Sequence, residues 1–382
     1  MKKSLALIMA LALIIALAAA CGGTTNTPAA GTPPAGGGSS SSGGTSSGGA
    51  SSGSTAPAGN NEEPWADKPE VTLIFTQHDP DQSTPGRYAH EWAELVRQES
   101  RGRIEIQVNN GGVLAGPTES LDAVQSGAVD VMMSLPHFYP GRFPMTDMLL
   151  MPFLPYESSL QASKVFVDIW ENSDLLYSDP GYDNVKLIMF RANCESPIIT
   201  VSKKIEKASD LNGLTLRAAV APLVTWLAEF GGIGQGCPIG ELFQNMQNGT
   251  FDGAITDWNA VDSFRLHDNC AKYFADEIVQ YGMHFLLMNQ QTYDRLSPEN
   301  QAAIDRCSGK AALEVMANAW DDLTIKVKKD VVDEFGGEVY KIPPDELKKL
   351  RNAADKTNGQ YVASLGEPGR QLYELIKEKL GM

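Results

Sequence analysis

Two stretches of the chain can be laid over each other residue by residue, and nothing else in the sequence restricts the fold as much. Gln125-Ser126-Gly127-Ala128-Val129-Asp130 matches Gln247-Asn248-Gly249-Thr250-Phe251-Asp252, and upstream Leu121 and Val124 match Phe243 and Met246. In both, an amphipathic helix runs into a glycine, which takes the left-handed cap conformation without a Cβ penalty. An apolar residue and an aspartate then lead into a strand. Before the first copy, Val71–Phe75 reads as a strand, Tyr88, Trp92, Leu95 and Val96 recur at helical spacing, and Ile104-Glu105-Ile106-Gln107-Val108 alternates with period two. Before the second, Leu214–Val220 reads as a strand and Pro222 suits the first turn of a helix carrying Leu223, Trp226, Leu227 and Phe230. The order β-α-β-α-β predicts a parallel sheet covered by helices. Helix-glycine-strand turns are common in α/β proteins, so the match speaks to architecture and not to ancestry.

Two such units predict two similar α/β lobes with a cleft between them, a frequent place for a small ligand. Ligands of parallel sheets lie outside the carboxyl ends of the strands. Thr76–His78, Leu135–Tyr139, Ala218–Pro222 and Thr256–Asn259 are therefore expected near the cleft. From about Ser297 the chain is mostly helical: one long helix from Pro298 through Asp333, broken near Trp320-Asp321, a strand within Gly337–Ile342, and amphipathic helices over Pro344–Leu365 and Gly369–Leu380. This tail is expected to brace the lobes.

The beginning of the chain speaks to compartment. Lys2 and Lys3 precede an apolar run from Leu5 to Ala20. That run is shorter than the ~20 residues of a membrane span and suits a secretory signal peptide. It ends Leu17-Ala18-Ala19-Ala20-Cys21, which resembles a lipobox, although Ala18 stands where a larger apolar residue is usual. Cys21 is thus the expected lipidation site. Residues 22–63 are almost entirely Gly, Ser, Thr, Ala and Pro, with nothing to offset the entropy of ordering. They read as a tether of ~35 Å root-mean-square reach. The expected division is 1–20 signal peptide, 21–63 lipidated cysteine and linker, 64–192 (with about 282–320) first lobe, and 193–281 (with 321–382) second lobe. The location is then extracytoplasmic, with the folded part held at the cell membrane by the lipid.

A formal net charge of −16 makes nucleic acid an improbable partner. Beyond Cys21 the cysteines are Cys194, Cys237, Cys270 and Cys307, and their spacing leaves both buried thiols and one structural bridge open. No CxxC or HExxH pair occurs, so neither a metal nor a cofactor is expected, and the five histidines read as separate polar residues. A surface-anchored hydrolase is the alternative from another class. The folded part has no G-x-S-x-G elbow, and of the acids a glycosidase would need, Asp130 and Asp252 fit the helix-to-strand turns, leaving Asp257. A ligand sensor that addresses a receptor kinase is a further alternative.

Several segments, in order, resemble one family. Asp210-Leu211-Asn212-Gly213-Leu214-Thr215-Leu216-Arg217 resembles the D-L-x-G-x-K-x-R segment of the solute-binding proteins of tripartite ATP-independent periplasmic (TRAP) transporters, the DctP-like family. Gly102-Arg103, Leu121 to Asp130, Leu150-Met151-Pro152-Phe153-Leu154, Glu241 to Gly253 and Leu296-Ser297-Pro298-Glu299 are similar to further family segments, so that the resemblance spans Val71 to Ser364. It implies a two-lobed, type II periplasmic-binding-protein-like fold in the α/β class, with C-terminal bracing helices. It also implies a non-enzymatic receptor that delivers a small organic acid to integral membrane subunits. The family's carboxylate-gripping arginine corresponds to Arg217, and a guanidinium is suited to that task through two parallel charge-assisted N–H bonds. Without the resemblance, a strand-end arginine paired with an acid for stability reads equally well. Where many members carry Q-E-N-P, this chain has Ala254-Ile255-Thr256-Asp257-Trp258-Asn259, so the family's asparagine is not transferred.

In that altered segment Trp258 offers a flat apolar wall, and Thr256 and Asp257 offer polar contacts. The block Phe138-Tyr139-Pro140-Gly141-Arg142 forms a rigid turn that would present Phe138, Tyr139 and Arg142 to the ligand. Gln77 and His78 face the same region, and Arg191, near the crossover between lobes, is a second anion-binding candidate.

Overall fold

The computed structural model describes residues 64–382. The signal-like segment, Cys21 and the Gly/Ser stretch lie outside the described residues. Among the described residues no helix is long and apolar enough to cross a membrane.

The first repeat unit is β1 (Val71–Gln77), α1 (Thr84–Glu99), β2 (Ile104–Asn109), α2 (Ser120–Ser126) and β3 (Val131–Ser134). Ser83 caps α1 by accepting the Gly86 amide at 3.1 Å, and Tyr88, Trp92 and Val96 form its buried face. After β4 (Val185–Thr200), the second unit is β5 (Thr215–Arg217), then a helix over Ala221–Ala228, β6 (Ile233–Gln235), another over Ile239–Gln247, and β7 (Gly253–Ile255). The strand β6 was not expected: three residues behind Gly231-Gly232 are too short to show a period. β8 (Tyr273–Asn289) and β9 (Glu338–Tyr340) complete a sheet ordered β2-β1-β3-β8-β4-β7-β5-β6, with β9 on β8.

That order is a mirror about β8 and β4. On one side β1 pairs in parallel with β2 and β3; on the other β5 pairs in parallel with β6 and β7. The innermost strand of each set, β3 or β7, meets a crossing strand antiparallel. The repeated hexapeptides occupy equivalent places down to individual bonds. Gly127 and Gly249 have φ of 77° and 74°. Ala128 and Val129 donate to the Ala123 carbonyl at 2.9 and 3.3 Å, as Thr250 and Phe251 do to that of Asn245 at 2.9 and 3.3 Å. Asp130 accepts the Ile74 amide at 2.8 Å and Asp252 the Thr215 amide at 2.8 Å, each carboxylate fixing the neighbouring parallel strand.

The crossing strands β4 and β8 pair antiparallel along their length, with register shifts between Leu187 and Met189, Ala192 and Glu195, and Ser196 and Ile198. β8 is buried on both faces from Val279 to Asn289, and β4 is buried on both faces from Leu187 to Cys194.

The helical tail departs from the single long helix expected. Pro298–Arg306, Lys310–Glu314 and Ala319–Asp333 are separate, and the second break falls at residues 315–318, where Met316 takes φ 53°. The helix Pro344–Ser364 spans both strand sets. Its Leu350 carbonyl accepts from Trp226 at 3.0 Å, while Asn358 and Tyr361 donate to the Pro152 and Pro144 carbonyls at 2.9 Å each. Cys194, Cys237, Cys270 and Cys307 are free thiols.

Candidate functional site

A narrow cleft opens where the carboxyl ends of both strand sets meet the bulged part of β4 and β8. Four short segments and the two crossing strands build it.

Behind β1, Gln77 ties down the loop. Its Oε1 accepts the Asp79 amide at 2.9 Å, and its Nε2 donates to the Asp79 carbonyl at 3.2 Å and to Asn110 Oδ1 at 2.8 Å. Gln77 thus supports the wall, while His78 and Asp79 face the cleft. Behind β3, a single turn over Pro136–Phe138 places His137 and Phe138 in the cleft. The Phe138 ring meets His78 edge-on at 4.9 Å and His137 at 4.8 Å.

Behind β5 comes Arg217, 4% exposed. Its Nε donates to the Cys237 carbonyl at 3.2 Å, and among the described residues it forms no ion pair. Burial holds its pKa below the ordinary arginine value, with Cys237 and Asp257 opposing that. A buried guanidinium with one neutral partner is costly unless a ligand supplies the counter-charge. Behind β7, Thr256 and Asp257 line the cleft. Asp257 also caps the following helix by accepting the Ala260 amide at 3.0 Å, and burial raises its pKa.

The crossing strands contribute Asn193, Ser196, Gln280 and His284. His284 Nε2 lies 3.2 Å from Asp79 Oδ2 and its Nδ1 contacts Asn193 Oδ1; Asn193 Nδ2 in turn reaches Asp257 Oδ2 at 3.5 Å. A polar chain thus runs from the end of β1 through both crossing strands to the end of β7. Burial pushes the Asp79 carboxyl up, but the neighbouring His78 and the hydrogen bond from His284 outweigh it, so its pKa stays below the ordinary value. Burial lowers His137 well below a free imidazole, and the nearby Arg217 charge adds to this. Among the described residues no cluster of His, Cys, Asp or Glu is arranged to hold a metal ion.

Of the residues singled out in the sequence, the structure brings together His78, Phe138, Arg217, Thr256 and Asp257. Five others lie elsewhere. Gln77 stands behind the wall. Trp258 is fully buried and stacked on Phe274 at 5.5 Å, because as the first residue of its helix it turns toward the core. Tyr139 points back into the core, its hydroxyl bonded to Ser120 at 2.7 Å and Ser134 at 2.8 Å. Arg142 lies on the surface beside Gln125, at 2.9 Å. Arg191 is buried against the tail, bonded to four backbone carbonyls. Sequence reasoning missed Asp79, His137 and the residues of the crossing strands. His137 and Asn259 sit inside strand-end segments expected to face the cleft; the crossing strands gave no such signal.

A model of the DctP family, the bacterial extracellular solute-binding proteins of family 7, matches residues 75–364. The chain belongs to this family. Its solved relatives share the architecture over nearly their whole length. A TRAP solute-binding protein from a marine metagenome, specific for aromatic acids and crystallised with 3-hydroxybenzoate, is 25% identical at a TM-score of 0.75, covering 82% of this chain and 99% of that one. A TRAP periplasmic solute-binding protein from Bordetella bronchiseptica with bound (R)- and (S)-mandelate is 22% identical at a TM-score of 0.74, covering 81% and 99%. In sequence, the 2,3-diketo-L-gulonate-binding periplasmic protein of Escherichia coli is 23% identical over 56% of this chain and 65% of its own length. The chain thus spans just under two thirds of that curated relative. Family 7 places this protein among extracellular receptors of a two-lobed fold, and its cleft is where that fold brings strand ends together.

Proposed function

We propose that this family 7 protein is the extracytoplasmic receptor of a TRAP-type secondary transporter, and that Arg217 grips the carboxylate of a small organic acid. The observation that supports this is Arg217 itself: a buried guanidinium at the cleft, carrying one hydrogen bond to a neutral carbonyl and no carboxylate partner among the described residues. A bidentate carboxylate supplies the missing charge and acceptors at once. The acids bound by the structural relatives agree with this reading. Thr256, Asp257, His78 and Phe138 complete the contacts. The lobes are residues 64–192 with about 282–320, and 193–281 with 321–382, and the ligand favours closure by touching both. Cys21 carries the lipid and the Gly/Ser stretch lets the receptor reach its membrane subunits. The protein catalyses no reaction.

The test is thermal unfolding of the purified protein against a library of organic acids, amines and sugars. A bound acid at a hundredfold excess over its Kd adds about 2.7 kcal/mol of apparent stability. Arg217→Ala should abolish the shift, and Arg217→Lys should weaken it by losing the paired geometry. Tight acid binding by Arg217→Ala would sink the assignment of the clamp, and stabilisation by amines or sugars alone would sink the acid.

A further inference from the structure

Beside Arg217 the cleft holds buried acceptors that a plain carboxylate leaves unmet. His78 is the best defined. Its side chain is 7% exposed, and its Nε2 lies 3.5 Å from Asp79 Oδ2. The same oxygen receives His284 Nε2 at 3.2 Å. A buried carboxylate between two imidazoles draws their N–H groups toward itself, which places the His78 proton on Nε2. Burial also lowers the His78 pKa, against the opposing pull of Asp79, which favours the neutral ring. Nδ1 is then a bare lone pair, and it is buried with no hydrogen-bond partner. The ring is not free to turn away: Phe138 packs edge-on against it, and Gln77 clamps the backbone of the next residue. Gln280 Oε1 is a second buried acceptor without a partner, on the opposite crossing strand of the same cleft, and Ser196 Oγ is likewise unpartnered.

We propose that the ligand is an acid carrying a second, hydrogen-bond-donating group, a hydroxyl or an N–H, that meets His78 Nδ1, so that the cleft selects such acids over their unsubstituted parents. The inference rests on the receptor reading and narrows it. Arg217 grips the carboxylate from the end of β5; His78 reads the donor from the end of β1. Asp79 is the positioning residue, since it sets which nitrogen of His78 is bare. A parent acid loses because it leaves that buried lone pair unpaired, whereas a donor-bearing acid pairs it. Unpaired polar groups of this kind are what let a site reject an analogue that lacks a hydroxyl.

Calorimetric titration of the purified full chain with matched sets tests this: benzoate, 3-hydroxybenzoate and 3-aminobenzoate; phenylacetate and mandelate; propionate, lactate and alanine. In at least one set the donor-bearing acid should bind about ten- to a hundredfold tighter than its parent. Which member gains distinguishes the hydroxyl from the N–H. His78→Phe keeps a ring of similar packing but removes the acceptor, so that ratio should fall below about three. His78→Asn, which restores an acceptor near the position of Nδ1, should recover part of the ratio. A ratio near one in every wild-type set, with parents still bound and lost in Arg217→Ala, overturns the proposal and leaves the receptor standing. Persistence of the ratio in His78→Phe also overturns it. Failure of every acid to bind overturns the receptor reading and the proposal with it.

Discussion

Arg191 and Arg217 are both buried arginines near the centre of the molecule, and the structure predicts opposite consequences for losing them. Arg191 is fully buried and donates to the carbonyls of Leu313, Val315, Met316 and Ala317 at 2.9, 3.3, 3.0 and 2.8 Å. Its guanidinium also lies 4.0 Å from the Trp320 ring. Burial lowers its pKa to about 10, so it stays charged at neutral pH. It holds the break between two tail helices, including Met316 at φ 53°, a conformation costly for a side chain of that size. Arg191→Met fills much of the space but leaves four carbonyls without this partner, that of buried Leu313 and those of half-buried Val315, Met316 and Ala317. Each such group costs about 1–3 kcal/mol, partly relieved by relaxation and water, and removing one partner of a buried charged network typically costs about 3–5 kcal/mol. The expected loss is therefore about 3–5 kcal/mol, a fall in Tm of order 5–15 °C. Urea unfolding measures the first and a thermal melt the second. The Kd for a bound acid, measured where the variant is folded, should stay within about threefold of wild type, since no ligand contact is removed. A variant that melts like the wild type yet loses acid binding would show that Arg191 is a ligand contact and would refute the reasoning.

Gly253→Ala should cost about 3 kcal/mol or more, because a Cβ there would sit 2.0 Å from the Ile199 carbonyl oxygen and push β7 off β4; a melt within a few degrees of wild type would contradict the strand pairing. Trp258→Ala should cost about 3–5 kcal/mol as a core cavity, while acid affinity in the folded fraction changes little, and a binding loss at undiminished Tm would restore Trp258 to the site. Asp147 gives a pH signature: burial and the neighbouring Asp179 raise its carboxyl from 3.8 to about 7, and one of its oxygens is buried without a partner. Between those values the native state holds more protons than the unfolded one, so this group makes stability fall as pH rises. The advantage of Asp147→Asn in urea unfolding should therefore grow by about 1–3 kcal/mol from pH 5 to pH 8, and an advantage that shrinks over that range would reverse the assignment.

The parts of the fold legible in the sequence are those whose pattern is local. The hexapeptide match of Gln125–Asp130 with Gln247–Asp252 anticipates two similar α/β units, because a helix stop and a left-handed glycine are each decided within a few residues, whereas the aspartates' ties to Ile74 and Thr215 are long-range and not legible there. The crossing strands β4 and β8 escaped the same reading. Val185–Thr200 contains Arg191, Asn193, Glu195 and Pro197 and is interrupted by bulges, so neither a period of two nor an unbroken apolar run survives. Its polar residues are tolerated because they have partners far along the chain: Arg191 in the tail, Asn193 in the cleft.

The site divides along the same line. Arg217, His78, Phe138, Thr256 and Asp257 follow from the rule that ligands lie beyond the carboxyl ends of parallel strands, and for Arg217 from the family segment as well. That rule gives a segment and not a side-chain direction, which is why Tyr139 and Trp258, adjacent to residues that do face the cleft, point into the core. Tyr139 finds Ser120 and Ser134, and Gln77 finds the Asp79 backbone, whereas His78 Nδ1 and His137 Nδ1 in the cleft find no partner. Asp257 lines the cleft although it caps a helix, so direction is set by three-dimensional neighbours that one-dimensional spacing does not carry. Three histidines that look scattered at positions 78, 137 and 284 converge on one cleft through the fold: two sit at the ends of strands from the first repeat, and the third lies on β8, the crossing strand paired with β3 and β4.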